Sequence, residues 1–163
     1  QHKWTIDDLH KADVVYQLAL RMGTSFSATC HTLQRYNLLT PAVTRDLMAT
    51  KVRDRKQALL GKFIPENYYG DTWLLTDADE GTCISGSRHD IFVIRLEEHS
   101  TAGYVWSFDQ LVESGFLVVQ DTRDASTEDE IGGPVFRDAI ALLPRASSYP
   151  GDARLCDSLS NAC

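Results

Sequence analysis

Residues 90–106 run Asp90-Ile91-Phe92-Val93-Ile94-Arg95-Leu96-Glu97-Glu98-His99-Ser100-Thr101-Ala102-Gly103-Tyr104-Val105-Trp106. The segment Asp90 to Leu96 is rich in β-branched and aromatic side chains, which suits a strand, and the polar cluster Glu97 to Ser100 closes it. A loop is expected next. Gly103 tolerates backbone angles closed to other residues, and Tyr104 and Trp106, two apart, put two rings on one face of a following strand, most simply the core face. Farther along, Ile131-Gly132-Gly133-Pro134-Val135-Phe136 forms a second Gly-rich turn leading into an apolar run. Candidate strands are therefore Thr72 to Thr76, Asp90 to Leu96, Tyr104 to Phe108, Phe116 to Gln120 and Val135 to Leu143. Their separation by Gly, Asp and Ser clusters predicts an antiparallel β unit of the sandwich type.

The chain has 163 residues, 43% hydrophobic and 24% charged, a globular mixture long enough for one ordinary domain or two small ones. No stretch approaches the ~20 apolar residues of a membrane span, and Gln1 to Asp8 lacks an apolar signal core, so the expectation is a cytoplasmic chain with no membrane partner. Cys30, Cys83, Cys156 and Cys163 contain no CxxC pair, which argues against a zinc knuckle or a redox motif. Free thiols are expected, although four cysteines would allow two disulfides in an oxidising compartment.

The net charge of −7 divides unevenly. Residues 1–62 carry ten Lys/Arg against five Asp/Glu, whereas residues 63–163 carry six against eighteen. With Gly61 and Pro65 breaking any helix near this shift, the reading is a helical module over 1–62 and a β module over 63–163. In the first module, Asp13 caps a helix whose Val14, Val15, Leu18, Ala19 and Met22 form one stripe, ended by Gly23. Ser25 caps a second helix from Phe26 to Tyr36. A third is expected from Pro41 to Leu60, with Val43, Leu47 and Met48 inward and Arg45, Lys51, Arg53, Arg55 and Lys56 outward.

The Ala19-xxx-Gly23 spacing suits a tight helix-turn-helix. Arg45, Lys51, Arg53, Arg55 and Lys56 are then the candidate DNA contacts, although Thr24, Ser27, His31, Gln34 and Arg35 are a thin set for reading bases. The plainer reading is a three-helix packing unit with a solvated basic face. The run DVVYQLALRMGTSFSATCHTLQRYNLL resembles the helical segment that follows the catalytic core of ImmA/IrrE-family metallopeptidases, over roughly residues 10 to 60. That family's HExxH helix, with two zinc-binding His and a Glu as general base, has no counterpart among His2, His10, His31, His89 and His99. The resemblance therefore implies a C-terminal portion without its catalytic core.

Other chemistry is equally unsupported. Cys30 and His31 are helix neighbours pointing about 100° apart, so they form no dyad. Asp121 to Glu130 lacks the Gly and Glu positions of a calcium loop and reads as a solvated loop, and Asp77-Ala78-Asp79-Glu80-Gly81 offers still fewer ligands. Gly132-Gly133 is not followed by the Lys of a phosphate-binding loop. No catalytic residue, metal site or cofactor is assigned.

The stretch HSTAGYVW resembles the NPTTGYxW loop of chagasin-like cysteine-protease inhibitors, and IGGPVF resembles their Gly-rich second loop. In that family three loops at one end of an immunoglobulin-like sandwich form a wedge that enters a papain-like protease cleft. By that resemblance the partner-binding residues are His99, Ser100, Thr101, Ala102 and Gly103 in the first loop and Gly132, Gly133 and Pro134 in the second. The family's third, Arg-Pro-Trp-like loop has no match in the tail Leu142 to Cys163, which reads as polar and irregular. The expected fold is thus α+β: an N-terminal three-helix unit followed by an antiparallel, chagasin-like β-sandwich that closes irregularly. The expected function is non-catalytic recognition of a protein or peptide, as part of an ImmA/IrrE-like zinc peptidase. The alternatives are a free-standing cysteine-protease inhibitor acting on a papain-like protease, and a DNA-binding regulator.

Overall fold

The computed structural model describes residues 4–98, 106–125, 135–143 and 153–155, with no account of the side chains of 124–125 and 153–155. The chain divides into two compact units, Gln1–Tyr68 and Tyr69–Cys163.

In the first unit a 3-10 turn at Asp7–His10 precedes α1 (Ala12–Arg21), α2 (Phe26–Arg35), α3 (Pro41–Ala49) and α4 (Val52–Leu60). Local chemistry sets several of these boundaries. The Ser25 side chain accepts from Ala28 N at 3.1 Å, Thr40 accepts from Val43 N at 3.3 Å, and Pro41 stands in the first turn where its missing N–H costs nothing. Gly23, at φ 61, takes the left-handed conformation that ends α1 and turns the chain into α2. Val15, Cys30, Leu33, Leu39 and Leu47 form the core with Leu9, and Val14, Leu18, Phe26 and Val43 pack against it.

The expected third helix is two helices. Thr50 and Lys51 are extended, and the Thr50 hydroxyl donates to Asp46 O at 3.3 Å, so the helical ladder ends there and restarts at Val52. The outward assignment of the basic residues also needs correction. Arg45, Lys51 and Arg53 are exposed, but Arg55 and Lys56 are buried. The Arg55 guanidinium lies 3.7 Å from the centroid of the Phe26 ring, and Lys56 Nζ donates to Tyr68 O at 2.9 Å. Both aliphatic stems cover apolar surface while each cationic head meets a π face or a carbonyl. Met48 and Met22, expected inward, are exposed.

In the second unit a mixed sheet has the order β1-β3-β5-β4, formed by β1 (Thr72–Leu75), β3 (Ile91–Glu98), β4 (Leu117–Ala125) and β5 (Val135–Leu142). A separate antiparallel pair joins β2 (Ile84–Gly86) to β6 (Ala153–Leu155), and a short helix, α5 (Asp109–Glu113), precedes β4. The fold is mixed α+β. The sheet is not wholly antiparallel, because β1 and β3 are parallel. The connection from Thr76 to Asp90, through a 3-10 turn at Asp77–Asp79 and β2, is long enough to return the chain to the end where β1 began. Phe92, Ile94 and Leu96 of β3 are buried along one face with Leu75, Ala139 and Ala141, and Phe92 meets Phe116 edge-on at 5.6 Å.

Three further expectations are corrected. Residues 106–108 are not strand, the acidic run from Asp121 begins inside β4, and the tail contributes β6. Cys30 is a buried free thiol, whereas Cys83 is disulfide-bonded, contrary to the expectation of free thiols.

Candidate interaction edge at one end of the sheet

All eight residues assigned to partner-binding loops, His99 to Gly103 and Gly132 to Pro134, lie outside the described residues. Their roots are described. In the register of the sheet Glu98 is opposite Val135, and Val135 is opposite Ala125. The last residue before the first segment and the residues flanking the second therefore stand side by side at one end of the sheet.

A polar cluster holds this end together. Register partners share a face, so Glu98, Arg123 and Arg137 project from one side. Glu98 is buried, with 4% of its surface exposed, and its carboxylate meets Arg123 Nε at 3.1 Å and Arg137 Nη1 at 3.5 Å. Arg137 also grips Asp121 with Nε and Nη2 at 2.9 and 2.7 Å, a bidentate fork, and its guanidinium lies 4.9 Å from the Phe108 ring centroid. Trp106 closes the first segment onto its own start. Its backbone N–H donates to Glu98 Oε1 at 3.3 Å, its indole Nε1 donates to Glu97 O at 2.9 Å, and its carbonyl accepts from Arg137 Nη1. Expected as a core anchor, Trp106 is instead half-buried, and its polar edge is what fastens it. On the opposite face Arg95 forms a second bidentate pair with Asp138, both bonds at 2.9 Å.

The Asp121 carboxyl is held below the usual carboxylate range, chiefly because Arg137 donates to it. A depressed folded pKa stabilises the protein fully above the unfolded value of about 4, and that stabilisation is lost as pH falls through the folded value. Asp121→Asn is therefore expected to flatten the loss of stability below about pH 4. Denaturation midpoints measured from pH 6 to pH 2 check this, and a profile as steep as the parent's would refute it.

The other end of β3 carries a second polar centre. The buried Asp90 carboxylate accepts from Asp71 N at 2.9 Å, Ser87 Oγ at 2.7 Å, Trp73 Nε1 at 3.1 Å and Ser87 N at 3.0 Å. An open cleft of about 440 Å³ lies over it, lined by Tyr69, Trp73, Ser85, Ser87 and His89. Any side chain at Gly70 would strike the His89 backbone, so the chain approaches too closely there for anything but glycine. Nothing in the residue spacing announces this cluster. Among the described residues no group of three or more His, Cys, Asp or Glu could hold a metal ion, and no helix is long and apolar enough to cross a membrane. Of the five candidate DNA contacts, the fold leaves only Arg45, Lys51 and Arg53 exposed.

No family model matches this chain, and no curated protein matches it. A similar solved structure is the cysteine protease inhibitor EhICP2 from Entamoeba histolytica, 19% identical, with a TM-score of 0.37 over 53% of this chain and 90% of that one.

Proposed function

We propose that the second unit is a non-catalytic recognition module that binds a protein or an extended peptide through one edge formed by His99 to Gly103 and Gly132 to Pro134. A papain-like cysteine protease is the first partner to test. The observation that carries this reading is the register that sets Glu98 beside Val135 and Val135 beside Ala125. Two segments rooted side by side on a sheet, with the start and finish of one fastened through Trp106, can meet a partner with little ordering left to do at their bases. The likeness of HSTAGYVW and IGGPVF to the first two loops of chagasin-like inhibitors supports the choice of partner. Parentage in an ImmA/IrrE-type zinc peptidase would rest on the resemblance of the helical unit alone. DNA binding is disfavoured because Arg55 and Lys56 are turned inward.

The test is inhibition of papain acting on a small peptide substrate. The intact chain is expected to slow the enzyme in proportion to its concentration. Thr101→Arg and Gly133→Arg should remove the effect while leaving the denaturation midpoint near the parent's, the result expected of loop-tip positions, which tolerate substitution. An inert parent chain would overturn the protease reading. Variants that unfold as readily as a core variant would overturn the assignment of these residues to a binding edge.

A further inference from the structure

Arg55 and Lys56 are neighbours on α4 and both are buried, but their charged heads are met differently. Lys56 Nζ donates to Tyr68 O at 2.9 Å. Arg55 has 9% of its surface exposed, and its guanidinium carbon lies 3.7 Å from the centroid of the Phe26 ring. So close an approach is that of stacked planes, which leaves the N–H edge of the guanidinium unused. Nε is sealed from solvent without a hydrogen-bond partner. Nη1 and Nη2 are not sealed and make no hydrogen bond to a described residue, so these two nitrogens face the remaining opening. Burial pulls the guanidinium below its ordinary pKa, and what offsets this is a thiol and a phenol, Cys30 and Tyr16, rather than a carboxylate. Burial pushes the Cys30 thiol up in turn, so it stays uncharged at neutral pH. Phe26 and Cys30 stand one turn apart on α2, and Tyr16 belongs to α1, which packs against both α2 and α4. The guanidinium therefore sits in the seam of three helices.

We propose that Arg55 is the receptor of a carboxylate group, taken end-on by Nη1 and Nη2 at the seam of α1, α2 and α4. A buried charge with neither an ion partner nor hydrogen bonds is costly to the fold, and an arriving acceptor relieves that cost. The surroundings select the acceptor. A planar carboxylate presents two oxygens to two N–H groups in the guanidinium plane, while Phe26 keeps its face of the cation. A phosphate carrying a second charge is harder to take out of water at a place walled by a ring, a thiol and a phenol. The helical unit favours an anion at longer range too, because residues 1–62 carry ten Lys/Arg against five Asp/Glu. The same fork takes the carboxylate of a small acid or that of an acidic side chain on a bound peptide.

The test is an NMR titration of the full chain that follows the Arg55 Nε–H signal, identified by its loss in Arg55→Lys, and the amide signals of Phe26 and Cys30. Sodium acetate and a capped Gly-Glu-Gly peptide are the probes, with sodium chloride at matched ionic strength as the control. Both the side-chain and the amide signals should move along a saturating curve with a probe and stay in place with chloride. Tighter binding of the peptide than of acetate identifies an acidic side chain as the source, and equal binding identifies a small acid; either result supports the site. Arg55→Lys keeps the charge but loses the fork, so the amide titration should weaken about fivefold or more. Should that variant fail to fold, the parent titration decides alone. No saturating shift with either probe, a response equal to that of chloride, or inorganic phosphate binding more tightly than both probes would overturn the proposal.

Discussion

Replacing Glu98 with alanine should destabilise the second unit by about 3 kcal/mol, the low end of the cost of breaking a buried ion pair. Arg137, largely shielded, would lose one of its two carboxylate partners but keep Asp121, which is why the loss should not reach the top of that range. Arg123 is half exposed and can turn to water. Trp106 N would lose its acceptor, loosening the point at which the first segment closes on itself. On the proposed function, inhibition of papain should therefore fall as well. Glu98→Gln keeps the shape and the acceptor for Trp106 but removes the charge, so it should lie between alanine and the parent on both measures. Urea denaturation followed by tryptophan fluorescence reports this, since Trp73 and Trp106 both stand in the second unit. An alanine variant within ~0.5 kcal/mol of the parent would mean that the cluster contributes nothing to the edge.

Asp90→Ala should cost more, about 3–5 kcal/mol, because it leaves several donors without an acceptor at once. Each buried donor left unsatisfied costs about 1–3 kcal/mol, and the Trp73 indole N–H makes a buried bond to Asp90, while the exposed Ser87 can bond water. Asp90→Asn is the sharper probe. Its amide would present hydrogens where the carboxylate accepts two bonds on each oxygen, so at least one donor would face another donor. A loss of about 2 kcal/mol or more is expected despite the matched size. Equal stability of Asp90→Asn and the parent, in the same fluorescence-monitored titration, would contradict the four-bond arrangement.

What sequence reading caught in the helical unit is what local chemistry controls. Ser25 starts α2 because its hydroxyl meets a free amide three residues on, and Gly23 ends α1 because it can take a positive φ; both are visible in a window of a few residues. The break at Thr50–Lys51 was not visible, since the apolar period of Val43 and Leu47 carries no stop signal before the basic run. That run itself misled. Five cations in twelve positions look like a solvated face, yet Arg55 and Lys56 find a ring and a carbonyl that are distant in sequence.

In the β unit, strands expected over Asp90 to Leu96 and Val135 to Leu143 fall on Ile91–Glu98 and Val135–Leu142, because runs of β-branched and aromatic residues bounded by turn residues are a local signal. Their pairing was not legible. Parallel β1 and β3, the short β2, and a β6 recruited from a polar tail all depend on which chain ends the crossover brings together. The acidic stretch Asp121 to Glu130 was read as a solvated loop, yet its first residues belong to β4, where Arg137, sixteen residues away, pairs with Asp121.

Sequence by itself thus determined the helical N-terminal unit and the two main strands, each from chemistry spanning a few neighbours, and it nominated the candidate loop residues. Tertiary structure alone decided that Glu98, Arg123 and Arg137 meet at one end of the sheet, that Asp90 gathers four donor bonds, and that β6 lies against β2 beside the disulfide-bonded Cys83. The physical reason is range. Caps and periodicity act within a turn or two of backbone, whereas ion pairs, buried carboxylates and cross-strand bonds depend on positions that only sheet register brings within a few ångströms.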